Sequence, residues 1–224
     1  ERRPGMHTQY SDLGFILLGW LVEAITGQCL DSAFDRLVAS RIGLKSTFFV
    51  PVARGIAQSP PIDMDQIAAT EFCPTRRRIL LGEVHDDNAW VLGGVAGHAG
   101  LFSTAGDVQA ICEAWLDAWS GSSGAPLPGK VVREMWDRDA TPGDSTRMLG
   151  FDTPTPGASS AGSKAPASLV GHLGFTGTSL WIEPASRVTV VLLTNRVHPD
   201  RSNESIRDFR PLIHDAVWDA LAKV

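Results

Sequence analysis

Between residues 168 and 194 the chain changes period, and this change limits its fold more than any other feature. Ser168–Gly174, Thr178–Glu183 and Arg187–Thr194 read as three consecutive antiparallel strands. Pro184-Ala185-Ser186 makes a tight hairpin between the last two, with proline at the corner its fixed φ suits. Elsewhere apolar residues recur at helical spacing. Leu13, Ile16, Leu17, Trp20, Leu21, Ala24 and Ile25 predict a buried helix over 12–26, stopped by Gly27. Phe34, Leu37 and Val38 predict a second over about 31–41, ending at Gly43. Val108, Ile111, Cys112, Trp115 and Trp119 share one face of a third, with Thr104 and Asp107 at capping-box spacing before it. A short helix over 129–137 follows. A closing amphipathic helix over 204–222 carries Ile206, Phe209, Ile213, Val217 and Leu221. Residues 44–92, broken by Pro51, Pro60, Pro61 and Pro74, are mostly loop, with a short strand at Ile79-Leu80-Leu81; a loop this long is usually functional. Residues 153–168, rich in Pro, Ser, Gly and Ala, are a flexible connection. Helices, then strands, then a helix specify an α+β fold with helices covering an antiparallel sheet.

The 224 residues are enough for one domain, with a helical part over about 10–140 and a sheet part with the terminal helix over about 145–224. A net charge of −5 argues against a nucleic-acid surface, and Arg76-Arg77-Arg78, the only basic cluster, is expected to be solvated. Cys29, Cys73 and Cys112 have neither disulfide-framework nor zinc-ligand spacing. Cys29 and Cys112, in or beside helical patterns, are expected as buried small hydrophobes. The longest apolar run, Phe15 to Ile25, contains Glu23 and is too short to span a bilayer. No metal or organic cofactor is implied.

Two short motifs could carry chemistry: Tyr10-Ser11-Asp12, and His172-Leu173-Gly174-Phe175-Thr176-Gly177-Thr178. Tyr10 is the only tyrosine. The first motif lies at a loop–helix junction; the second lies on a strand followed by a hairpin and the terminal helix. In this order they resemble the second and third motifs of the penicillin-reactive serine hydrolases, Tyr-x-Asn before a helix and Lys/His-x-Gly on a strand. The resemblance covers about residues 4–220 and is closest at 10–19, 85–104 and 171–199. It points to the branch holding class C β-lactamases, DD-peptidases and family VIII esterases. That family's first motif, Ser-x-x-Lys, is absent: none of Lys45, Lys130, Lys164 and Lys223 has a serine three positions before it. Nor is there a Gly-x-Ser-x-Gly elbow.

The resemblance implies a β-lactamase/transpeptidase-like fold whose five-stranded sheet takes two strands from before the Ser-x-x-Lys helix. Those strands have no counterpart here, so 187–194 is expected as an unpaired edge through which copies could associate. The family roles implied are a proton shuttle for Tyr10, and an acyl site lined by His172, Gly174, Phe175 and Thr176 in which the Phe175 N–H is half of the oxyanion hole. A phenol is a poor base near neutrality unless a cation helps it, and the Ser-x-x-Lys lysine normally does so. Asp12 replaces the usual Asn and can only accept hydrogen bonds. Either it pairs with that lysine and orients the second motif, or it is a helix N-terminal acid favoured by the dipole. His172 stands where β-lactamases carry Lys and is charged only below a pH of about 6.5, which shifts the expected substrate from anionic β-lactams toward esters, amides or peptides. Gly174 has no side chain, which would let a substrate backbone lie along the strand edge. His98, in the turn 93–104, either faces substrate or bonds within its loop. His85-Asp86-Asp87-Asn88 reads as a helix cap or turn rather than a metal set. The expected function is the C-terminal part of an acyl-serine hydrolase with a small-molecule or peptide substrate, inactive alone and extracytoplasmic as its family would be. The alternative is a non-catalytic binding module derived from the same fold.

Overall fold

Apolar residues at steps of three and four form helix α1, Asp12–Thr26, with the bounds their spacing predicts. In the computed structural model, which describes residue 3, residues 5–138, residue 142 and residues 145–223, α1 is nevertheless not a buried helix. Only Ile16 and Gly19 are buried, while Leu13, Leu17, Leu18, Trp20, Leu21 and Ile25 are exposed. Periodicity shows that a face is apolar; it does not show what covers it. The buried stripe lies on the 96–100 loop at near-backbone contact. A Cβ on Gly97 would stand 2.1 Å from the Phe15 carbonyl oxygen, so no residue with a side chain fits there.

α1 begins the first of two compact units, residues 10–107 with 197–202. A continuous helical stretch follows: α2 (Leu30–Phe34), a π turn (Asp35–Ala39) and α3 (Ser40–Ile42). Cys29, just before α2, is exposed rather than buried. The long loop region is stitched by two-residue ribbons: β1 (Phe48–Phe49), β2 (Val52–Ala53) with β3 (Ile56–Ala57), and β4 (Phe72–Cys73) with β5 (Arg78–Ile79). α4 (Asp87–Val91) is capped by Asp86, which accepts from the Ala89 N–H at 2.8 Å, the cap reading of the His85–Asn88 stretch. β6 (Leu101–Phe102) pairs with β1. The Thr104 hydroxyl caps Asp107 N at 3.2 Å, but the Asp107 carboxylate does not close the expected reciprocal box. It accepts instead from Lys45 N, Ser46 N and the Thr47 hydroxyl, fixing the chain entering β1.

Of the arginine run, expected to be solvated, Arg77 and Arg78 are exposed while the Arg76 side chain is not. Arg76 is buried, donating to the Val84 and His85 carbonyls at 2.7 and 2.8 Å and to Asp87 at 2.7 Å, with Glu83 at 3.5 Å and its guanidinium over Trp90. Arg78 forks onto the buried Glu83 at 2.7 and 2.9 Å. Glu71, also buried, is clasped by Arg201 and faces His85 at 3.4 Å. The folded loop supplies carboxylates that adjacent sequence does not reveal.

The second unit holds residues 108–196 and 203–224 with the chain's first nine positions. α5 (Ala105–Ser120), whose opening residues belong to the first unit, and α6 (Gly129–Met135) precede a five-stranded antiparallel sheet. The strands are β7 (Arg147–Met148), β8 (Phe151–Asp152), β9 (Val170–Leu173), β10 (Ser179–Glu183) and β11 (Val188–Leu192), in spatial order β11-β10-β9-β8-β7. The last three are the expected strands; β7 and β8, at two residues each, are too short to show a period. β11 lies at one edge, as expected. Alternation along β10 divides the core in two. Leu180 and Ile182 join Cys112, Leu116, Val132 and Trp136 on the α5–α6 side, and Trp181 joins Leu169 and Trp218 on the other. Trp115 stacks on Trp136 at 5.7 Å and meets Phe151 edge-on at 4.9 Å, contacts worth about 0.5–1.5 kcal/mol each beyond burial.

α7 (Ile206–Leu221) closes the unit, but not on the face predicted. Its buried stripe is Ile206, Arg210, His214 and Trp218, while Phe209 and Leu221 are exposed. A step of four places Arg210 inward, where the Gly174 and Thr178 carbonyls accept from its Nη2. No single helix among the described residues is long and apolar enough to cross a membrane.

Candidate functional site

The His172–Thr178 motif is strand β9 and the bend that leaves it. His172 pairs in register with Leu180, and its Nδ1 lies 2.9 Å from the Leu173 carbonyl oxygen. The neutral tautomer favoured by that contact has its N–H on Nδ1 and its lone pair on Nε2. Beyond β9 the chain folds back, with Gly174 N donating to Thr178 O at 2.8 Å and Gly177 N to Gly174 O at 3.1 Å.

Every carbonyl of the bend is held. Arg210 on α7 donates through Nη2 to Gly174 O at 2.9 Å and Thr178 O at 2.7 Å. Arg196 donates from Nε to Phe175 O at 2.8 Å and from its backbone N to Thr176 O at 3.0 Å. The Thr194 hydroxyl donates to Gly177 O at 2.6 Å. Because a trans peptide is planar, fixing the Gly174 carbonyl also fixes the opposed direction of the Phe175 N–H. Phe175 projects its ring outward beneath the Arg196 guanidinium, 4.2 Å from the ring centroid. Arg196 and Arg210 escaped the sequence reading because charged side chains there look like surface; the only sequence signal is the Ile206–Arg210–His214–Trp218 step of four.

Glycine at 174 makes room for the Thr178 side chain. A Cβ there would stand 2.1 Å from Thr178 Oγ1 and 3.4 Å from Thr178 Cβ. Gly174→Ala is expected to destabilise the fold by about 1–3 kcal/mol, an overpacking cost. Thr178→Ala removes the clashing oxygen, so the double variant should recover most of that loss in urea melts. Equal stability of G174A and G174A/T178A would show that the strain lies elsewhere.

Tyr10, Asp12 and His98 belong to the other unit. Tyr10 precedes α1, half-exposed, its ring 6.1 Å from that of Phe15. Asp12 is the acid in the first turn of α1. The His98 side chain is 2% exposed, with Nε2 2.9 Å from Asp86 Oδ1, the α4 cap. This contact joins the glycine-rich turn to α4. Among the described residues no cluster of three or more His, Cys, Asp or Glu side chains could hold a metal.

The sequence model of the Beta-lactamase family matches residues 1–214. The chain belongs to the beta-lactamase family. Curated relatives include the putative D-alanyl-D-alanine carboxypeptidase of Salmonella agona (strain SL483), 34% identical over 92% of this chain and 49% of the relative. The protein of the same name from Salmonella schwarzengrund (strain CVM19633) is 35% identical over the same shares. The chain thus spans about half the length of these relatives. Among solved structures, a beta-lactamase from Mycobacterium bovis aligns with TM-score 0.64 at 18% identity, over 98% of this chain and 66% of that one. The unliganded simvastatin synthase of Aspergillus terreus aligns with TM-score 0.62 at 16% identity, over 93% and 53%. These likenesses establish the beta-lactamase-like fold, helices on an antiparallel sheet, as read from the strand and helix pattern.

Proposed function

We propose that this beta-lactamase-family chain is the C-terminal part of a hydrolase that works through an acyl-serine intermediate, with its serine on polypeptide outside these residues. The observation that carries this reading is the immobilised bend after His172. A tetrahedral intermediate needs N–H donors aimed before reaction begins, and five held carbonyls leave the Phe175 N–H one direction. In this reading Tyr10 shuttles the proton between nucleophile and leaving group, and Asp12 orients the second motif. His172, Gly174 and Thr176 border the acyl group. Gly174 acts by permitting the Thr178 contact that shapes the bend.

Two further observations support a nucleophile supplied from elsewhere: no lysine follows a serine by three, and the apolar faces of α1 have no cover among the described residues. The substrate range is ester, amide, peptide or β-lactam. A histidine at 172 favours substrates that need no permanent cation, and the relatives' printed names make peptides ending in D-alanine the first class to try.

The purified 224-residue chain is expected to show no turnover of p-nitrophenyl acetate, nitrocefin or a D-alanyl-D-alanine peptide above the buffer rate. Steady hydrolysis abolished by an active-site titrant would overturn the inactive-alone reading and call for a nucleophile within this chain.

A further inference from the structure

Among the described residues Arg210 is a buried charge without a counter-charge. Its side chain is 8% exposed, yet it pairs with no carboxylate among the described residues. Nη2 holds the Gly174 and Thr178 carbonyls, while the buried Nε–H meets no acceptor among the described residues. Burial and the charge of Arg196 both press its pKa down, as expected of a cation lacking a partner.

Arg210 lines a cavity of about 1300 Å³ between the 154–167 connection and α7. Leu173 also lines it, and adjacent strand residues point to opposite faces, so the cavity lies on the face of β9 away from His172. Arg138 and Arg207 share the wall, with the hydroxyls of Ser145, Thr155 and Ser159. Arg138 donates to Ala167 O at 3.1 Å, and Arg207 pairs on the surface with Glu204 at 2.9 Å. The one carboxylate described in the lining, Asp215, accepts from the Ser163 hydroxyl and Lys164 N, both at 2.9 Å.

We propose that this cavity binds a small oxyanion, a carboxylate or phosphate group, at Arg210. An oxyanion is the ligand whose planar or tetrahedral acceptors suit an arginine fork backed by hydroxyl donors. It would set a negative charge beside the guanidinium that holds both ends of the bend. Occupancy would therefore stiffen the segment carrying the Phe175 N–H without touching the face that bears His172.

The test is an NMR titration of the isotope-labelled 224-residue chain near neutral pH, following arginine Nε–Hε resonances. The Arg210 signal is identified by its loss in Arg210→Lys. Sodium phosphate and sodium acetate are added separately, each against sodium chloride at matched ionic strength. The expected result is a saturable shift of the Arg210 signal with phosphate, acetate or both, and none with chloride; saturation by one alone names the source of the anion. In Arg138→Gln/Arg207→Gln the apparent affinity should fall by about tenfold or more, the equivalent of one charge-assisted hydrogen bond. If R210K does not fold, thermal melts replace it: phosphate or acetate should raise the Tm of the unaltered chain more than that of the R138Q/R207Q variant. A response that follows ionic strength alone, no response, or identical behaviour of the double variant overturns the proposal.

Discussion

Tyr10→Phe, in a polypeptide that joins this chain to a Ser-x-x-Lys segment, is expected to lower kcat by about 10²–10⁴-fold, the usual contribution of a positioned general acid–base group. KM should change little, because losing one phenolic oxygen removes a proton path while leaving the bend after His172 intact. Phenylalanine retains the half-exposed ring and its tilted contact with Phe15. The melt of the variant should therefore match the unaltered protein while its turnover falls. Unchanged kcat would remove Tyr10 from the mechanism, and a parallel loss of stability and activity would make it structural.

Arg76→Met should cost about 3–5 kcal/mol of stability, the range for removing one partner of a buried ion pair. Arg76 and Glu83 side chains are 3% and 5% exposed, and the substitution also strips the Val84 and His85 carbonyls of their donor. Arg78→Met gives the contrast: it unpairs the buried Glu83 but strips no backbone carbonyl, and its own side chain is 45% exposed, so its loss should cost less, about 1–3 kcal/mol. Urea midpoints that do not separate the two variants would mean that the cluster is not the buried anchor it resembles.

The same cluster sets a pH dependence. Burial pushes the His85 pKa below its ordinary 6.5, outweighing the pull of Glu71. The hydrogen bond from Arg201 is the main cause holding Glu71 below its ordinary 4.5. In both cases the unfolded chain binds more protons than the folded one, so stability falls as pH falls. It should be full above a pH of about 6.5, decline as His85 protonates in the unfolded chain, and decline again below about 4.5 as Glu71 does. His85→Gln should make the first decline shallower, the buried His214 still contributing in the same direction, and leave the second.

Much of the secondary structure was legible because periodicity is a local property. α1 has the bounds its apolar spacing predicts, and β9, β10 and β11 lie within the three predicted runs. β7 and β8 were invisible because two residues carry no period; only pairing with β9 makes them strands. The motifs around Tyr10 and His172 were legible as spacings, and the His172 motif does lie on a strand and its bend. What holds that bend was not legible. Arg196 is 20 residues or more beyond the carbonyls it fixes, and Arg210 lies on what looked like the polar side of an amphipathic helix.

The sequence by itself determined the order of helices and strands, the family, and the absence of a Ser-x-x-Lys, since these depend on residue identity and spacing along one line. The tertiary structure decided which side chains are buried. The Arg76 side chain and Arg210 lie inside because the folded loop brings carboxylates to one and a bend more than thirty residues away brings carbonyl oxygens to the other, while Leu17 and Ile25 lie outside because no described residue covers them. Burial depends on what the rest of the chain brings to a residue, and so it could be read only from the folded protein.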